Sequence, residues 1–281
     1  MVASLFQPFP MVKGRRAQVW RHQPQFRRPR HFHEEPEINV VVKGSGLMGV
    51  GERNHRILAG DLLLFQPGQD HGLLEASDDF QLFVMAVRPE LADRALGAGA
   101  ALGSSTFRLS PESLPELATK LSELWAIRDA HDHEAQVTEL FRSLRAAMPA
   151  EGHALTRRAL RCVVGEPGVS VSTLARRFRT TPSSVSRHYH RDLGVTLTEH
   201  RARMRLMRFV RMVDGGMELT EAALAASFGS YAQFHRAFRR AFGCAPRQYF
   251  SGLRTLMTEA TLASIESGDG PWARPFSLPL P

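Results

Sequence analysis

The sequence predicts an α+β protein of two domains: an N-terminal β-barrel or sandwich, a helical connector, and an all-α C-terminal domain built from two similar helical units. Three observations lead there. Short apolar runs broken by Gly, Pro and Asp fill the first hundred residues, helix-period apolar stripes fill the middle, and the last third repeats a pattern of residue types. At 281 residues the chain has room for two domains of ordinary size. The shifts in pattern divide it into a barrel at 1–105, a connector and junction at 106–152, an all-α domain at 153–256 and a tail at 257–281 that is rich in Gly, Pro and Ser.

In the first segment Ile38-Asn39-Val40-Val41-Val42, Leu62-Leu63-Leu64-Phe65 and Leu82-Phe83-Val84-Met85-Ala86-Val87 read as strands separated by turns. His31, His33 and Glu37 share sequence parity, so on an unbroken strand all three side chains point to one face. Gly44 follows, and later Gly60-Asp61 and Pro67-Gly68-x-x-His71. These residues resemble the two motifs of the cupin family. The resemblance implies a cupin-like barrel whose pocket is lined by His31, His33, Glu37 and His71, positions that hold metal in the wider family. Such a donor set suits one divalent transition metal, Zn²⁺, Ni²⁺, Fe²⁺ or Mn²⁺. Simple hydrogen bonding of the histidines inside the barrel is the other reading, and the sequence fixes no cofactor. The chain departs from the cupin pattern in lacking the leading Gly, and in having Gln66 where Pro is usual and Glu75 where Asn is usual.

The connector is helical. Leu114, Leu117, Leu121 and Leu124 form one stripe, and Val137, Leu140, Phe141, Leu144 and Met148 another. Packing on the barrel and an inter-subunit helix pair both account for such stripes. His131-Asp132-His133 reads as a solvated turn, and Glu151-Gly152 as the start of the junction.

In the last third, Leu174, Ala175 and Phe178 lead to Thr181, Val185, Arg187, Tyr189 and Gly194; Leu224, Ala225 and Phe228 lead to Ser230, Phe234, Arg236, Phe238 and Gly243. The spacing between copies is 50 residues before the break and 49 after it, which places a one-residue loss in the second turn. Thr181 is an N-cap with Pro182 at the first helical position, Ser230 and Gln233 make a capping box, and Gly194 and Gly243 are stops. A short helix, a tight turn and a second helix is the helix-turn-helix arrangement, whose second helix enters a DNA major groove. Val185 and Tyr189 face inward on one second helix, leaving Ser183, Ser186, Arg187 and His190 outward; Phe234, Phe238 and Ala241 lie opposite Ala232, Arg236, Arg239 and Arg240 on the other. Between the copies, 196–213 is a helical rod with an apolar face of Ala202, Leu206, Phe209 and Val213 and a row of Arg201, Arg205 and Arg208 beside it. Its roughly 25 Å suits two reading heads held near one DNA turn apart.

Charge follows the same division. Residues 154–256 hold 18 Arg, no Lys and 6 acids, a net of +12, whereas the rest of the chain nets −4. Concentrated positive charge signals a polyanionic partner, because each neutralised phosphate releases counterions. No stretch approaches the ~18 apolar residues of a spanning helix, so a membrane is not the partner indicated.

The run from Gly229 through Phe234-His235-Arg236-Ala237-Phe238 to Gly243-Cys244-Ala245-Pro246 and Tyr249 resembles the signature of AraC-family transcription regulators, and the likeness spans roughly 163–250. It implies that Ser183, Ser186 and Arg187 in the first unit, and Tyr231, Ala232, Gln233 and Arg236 in the second, sit at base-reading places. Arg201, Arg205, Arg239 and Arg240 are expected at phosphates. This chain differs at Ser227, where Gly commonly precedes the Phe, and at Pro182 and Ser183, where bulkier residues are frequent. A cytoplasmic one-component regulator follows: double-stranded DNA, an unidentified small-molecule effector and RNA polymerase as partners, no membrane, no enzymatic activity, and a homodimer formed through the connector. The alternative from another class is a metal-dependent cupin enzyme carried on a DNA-binding domain. Cys162 and Cys244 lie on predicted helices and suggest no disulfide, and the N-terminus is apolar before it is basic, unlike a secretory signal.

Overall fold

The computed structural model describes residues 5–7, 9, 11–12, 14–22, 30–96, 105–127, 130–149 and 152–253. The 257–281 tail, Glu151 and the side chain of His131 lie outside them.

Two five-stranded sheets form the N-terminal part. The first contains β1 (Leu5–Phe6), β3 (His31–Phe32), β8 (His71–Ala76), β5 (Ser45–Val50) and β6 (Arg53–Leu58) in that order. The second runs β10 (Ser105–Arg108), β7 (Asp61–Phe65), β4 (Glu37–Lys43), β9 (Gln81–Val87) and β2 (Ala17–His22). β10 pairs antiparallel with β7, so the barrel extends a few residues into the segment assigned to the connector.

Strands of the second sheet are buried on both faces, which explains their nearly continuous apolar runs. Trp20, Val41, Leu63, Phe65, Leu82, Val84 and Ala86 point into the barrel. The alternate residues Val19, Ile38, Val40, Leu62, Leu64, Phe83 and Met85 face a layer of α1 (Pro89–Leu96), α2 (Ser113–Ala126) and α3 (Ala130–Ala147). Leu117, Leu121 and Leu124 of α2 and Val137, Phe141, Leu144 and Met148 on or beside α3 are buried in that layer. Both connector stripes are thus used within the chain. His131-Asp132-His133 is not a solvated turn: it lies in the first turn of α3, and His133 is completely buried.

The C-terminal part comprises α4 (Ala154–Gly165), α5 (Val171–Arg177), α6 (Pro182–Leu193), α7 (Leu197–Asp214), α8 (Leu219–Ala225), α9 (Tyr231–Phe242) and α10 (Pro246–Gln248). The expected caps form: Thr181 accepts from the Ser184 amide, Ser230 from the Gln233 amide, and Gly194 and Gly243 close their helices in the left-handed region. Gln233 reaches back to the Gly229 amide at 3.0 Å rather than to the cap residue. The repeat differs from the sequence reading in one respect. Leu174 and Ala175 are buried in the first unit, but Leu224 is 61% exposed and Ala222, Ala223 and Ala226 take the inner positions. The first helices therefore correspond at a spacing of 48, and the second turn is one residue longer, not shorter. Residue type alone matched the two leucines; the inward face decides otherwise.

Candidate DNA interface and effector chamber

On α6, Val185, Tyr189 and Leu193 are buried while Ser183, Ser186 and Arg187 are exposed. On α9, Phe234, Phe238 and Ala241 are buried while Tyr231, Ala232, Gln233, Arg236, Arg239 and Arg240 are exposed. All seven residues expected to read bases thus stand on solvent-facing surface of the two helices. Arg201 and Arg205 are placed differently from expectation. Arg205 is 8% exposed and donates to the Ser227 carbonyl at 3.1 Å; Arg201 donates to the Gly168 carbonyl at 3.1 Å. α7 lies between the two units, so this part of its arginine row meets protein loops instead of open surface.

Inside the barrel, β3 and β8 pair His31 opposite His71, and the ring nitrogens of His31, His33 and His71 lie within 4.8 Å of one another. Glu37, at the start of β4, reaches them from the opposite sheet: its Oε2 lies 3.0 Å from His33 Nε2 and its Oε1 3.5 Å from His71 Nε2. Burial works against ionisation of Glu37, yet His71 and His33 together hold its carboxyl well below the usual carboxylate range. His71 Nδ1 lies 3.1 Å from the Gln69 carbonyl, which can only accept, so Nδ1 is the donor of that bond and the ring is held with Nε2 toward Glu37. Phe65 stacks on His71 at 4.1 Å. The Arg88 guanidinium bonds the buried Glu35 carboxylate at 2.8 Å.

The chamber wall is also an interface with the helical domain. Phe32, between His31 and His33, belongs to the helical-domain core, and Phe6 packs 4.8 Å from Phe242. The 67–71 loop, which ends in His71, makes most of the polar contacts. His200 Nε2 donates to the Pro67 carbonyl at 2.6 Å and its Nδ1 accepts from Tyr189 Oη at 2.6 Å. Arg203 donates to the Gly68 carbonyl at 3.1 Å and to Asp70 Oδ1 at 2.6 Å, with its guanidinium 4.8 Å over Phe32. Gln69 Nε2 donates to the Leu193 carbonyl at 3.2 Å, at the end of α6. Nearby, the Glu52 amide donates to the Gly194 carbonyl at 3.0 Å, and Glu34 pairs with Arg211 at 3.3 Å. Gly51 and Gly68, both at positive φ, permit this approach: a Cβ on Gly51 would overlap the Gly194 carbonyl, and one on Gly68 would come within 2.9 Å of the His200 ring.

Comparison with known proteins bears on both halves. The profile described as "AraC-like ligand binding domain" matches residues 19–150, and the profile described as "Helix-turn-helix domain" matches residues 174–252. The chain belongs to the AraC family of transcription regulators. As an AraC-type regulator it combines an N-terminal ligand-binding domain, cupin-like in fold, with a helix-turn-helix DNA-binding domain. It is 24% identical over 250 residues to the HTH-type transcriptional activator RhaS of Escherichia fergusonii, covering 82% of this chain and 90% of the relative. It is similar to ToxT of Vibrio cholerae, solved with an unsaturated fatty acid bound, at 15% identity and TM-score 0.48, covering 83% of this chain and 93% of ToxT. A cupin protein from Bacteroides fragilis is similar at 18% identity and TM-score 0.23 over 26% of this chain and 64% of its own.

For an AraC-type regulator the residues missed from sequence are those of the domain contact: Glu52, Gln69, Asp70, His200 and Arg203. A signal did exist. His200 and Arg203 lie on the apolar side of α7 and are buried, although their residue types seldom are unless partnered.

Proposed function

We propose that this AraC-type regulator reads its operator with α6 and α9 in successive major-groove segments. Arg187 and Arg236 bond guanine edges, Ser183, Ser186, Tyr231, Ala232 and Gln233 complete the base contacts, and Arg239 and Arg240 meet phosphates. What supports this is the division of both helices into a buried apolar stripe and an exposed face that carries all the named residues. Double-stranded DNA is selected from a random pool by the wild-type chain, Arg187→Ala and Arg236→Ala. A two-part site is expected, each variant losing selectivity in a different part; recovery of one identical site by all three refutes the assignment.

The effector is a small molecule bound among His31, His33, Glu37 and His71. Its binding reaches the operator through the 67–71 loop, since Gln69 both holds the His71 ring by its carbonyl and holds the end of α6 by its side chain. The donor set suits one divalent transition metal, Zn²⁺, Ni²⁺, Fe²⁺ or Mn²⁺, on the His31, His33 and His71 nitrogens, with Glu37 beside them. Such an ion would supply a Lewis-acid position for an oxygen donor of the effector. Metal analysis of the purified chain beside His71→Ala decides this, and turnover of a candidate substrate by the loaded protein would favour the cupin-enzyme alternative over a regulator without enzymatic activity. The same reading takes the cytoplasm as its location and RNA polymerase as a further partner. Among the described residues no helix is long and apolar enough to cross a membrane. A homodimer through the connector would meet across the outer faces of α2 and α3, whose inner faces are occupied.

A further inference from the structure

Arg201 and Arg205 lie one turn apart on α7, and each bonds a different helix-turn-helix unit. Arg201 donates to the carbonyl of Gly168, two residues before the Ser170 N-cap of α5. Arg205 donates to the carbonyl of Ser227, in the turn between α8 and α9, and its guanidinium lies 4.7 Å over Phe228. Phe228 in turn meets Phe234, the first inward residue of α9, at 5.4 Å. Arg205 Nε also reaches the Arg201 carbonyl at 3.3 Å, and the two loops come so close that a Cβ on Gly168 would sit 3.2 Å from the Ser227 Cβ. One segment of the rod therefore grips a loop of each unit where the units approach each other.

We propose that Arg201 and Arg205 are positioning residues that fix the pitch between α6 and α9, and with it the spacing of the two base steps read. A planar guanidinium holds a carbonyl in a defined direction, and stacking on Phe228 locks the plane of Arg205; an ammonium would hold neither. The inference rests on both helices entering the groove, so the test has one arm without DNA. Spin labels are attached at Ser186→Cys and Ala232→Cys after Cys162→Ser and Cys244→Ser, and the distance distribution is measured by pulsed dipolar spectroscopy. The wild-type background gives one narrow distribution; Arg201→Ala, Arg205→Ala and Arg205→Lys broaden or shift it. An unchanged distribution in the folded variants overturns the proposal, and Arg201→Ala and Arg205→Lys carry the test if Arg205→Ala does not fold.

The second arm uses the duplex that the wild-type chain selects from a random pool, with one or two base pairs inserted between its parts. The wild type is expected to lose about tenfold or more in affinity on insertion, a loss comparable to that from a mismatched base pair. Arg205→Lys loses distinctly less between native and widened sites, whereas an equal loss overturns the proposal. Should the wild type select no duplex, the reading of DNA by these helices falls, and the label distances still decide whether the arginines set the pitch.

Discussion

Replacing Asp70 by Ala tests the contact between the two domains. Asp70 and Arg203 are each 8% exposed on their side chains and lie 2.6 Å apart, so the substitution leaves a guanidinium in a nearly dry site. Removing one member of such a pair costs about 3–5 kcal/mol. Arg203 keeps Glu199 at 2.6 Å, the Gly68 carbonyl at 3.1 Å and the face of Phe32, which favours the lower figure. About 3 kcal/mol corresponds to roughly a hundredfold change in the closed-to-open ratio of the interface. The Glu52 amide reports it directly, because it donates to the Gly194 carbonyl across the contact. Hydrogen exchange at Glu52 in Asp70→Ala is expected to quicken on the order of a hundredfold, while barrel-core amides such as Val84 keep their wild-type rates. Unchanged exchange at Glu52, or equal acceleration throughout the barrel, would refute the reasoning.

Burial pushes His200 down to about 4, so the folded chain disfavours its protonation and stability falls as pH drops from about 6.5 toward 4. The stability advantage of wild type over His200→Gln is therefore expected to shrink by about 3 kcal/mol across that window in urea titrations, and a constant difference contradicts this. Glu34, raised to about 7 by burial and then by Glu35, has the opposite sign: the native state holds its proton more tightly, so Glu34 adds stability as pH falls through 7 toward 4.5. The advantage of wild type over Glu34→Gln should grow accordingly on acidification, and an advantage that does not change excludes the assignment. Ser227 sits at φ 66°, where a side chain costs about 1 kcal/mol, so Ser227→Gly should raise the thermal midpoint while keeping the carbonyl that Arg205 binds. Arg239→Ala should weaken specific and random DNA alike and lower the salt slope by about 1, whereas Arg236→Ala should reduce only the preference for the selected site.

Helices α6 and α9 are legible in the sequence because several local signals agree. Cap residue, Pro at the first helical position, inward stripe and glycine stop all coincide on α6, and tertiary packing had nothing to overrule. Parity holds for His31 and His33, but the strand breaks before Glu37, which opens β4 and reaches the histidines from the other sheet, a closure that local spacing does not encode. Periodicity identifies which residues of α7 share a face and is silent on what that face meets, which is why the position of Arg201 and Arg205 against loops departs from what the spacing suggests. Packing against Gly168 and Ser227 depends on how the two units close on each other, a long-range fact. The spacing of the first helices differs for a related reason: Leu174 and Leu224 share a residue type but not a face, because in the second unit Ala222, Ala223 and Ala226 take the inner positions and leave Leu224 outside.

The domain contact explains how a barrel can act on helices that do not line it. In β3 and the residue after it, His31 and His33 face the chamber while Phe32 faces the helical core and lies under Arg203. Successive side chains of an extended segment necessarily point to opposite sides, so a rotation that reorients the histidines also turns Phe32. The 67–71 loop repeats the arrangement: His71 faces inward, and Gln69 and Asp70 hold α6 and α7. Tightly packed interfaces change between discrete arrangements instead of deforming smoothly. An effector that favours one orientation of His31, His33 and His71 would therefore select one docking of α7, and both helix-turn-helix units would move with it. One extended segment thus carries both the clustered histidines and the Phe32 that packs in the helical core.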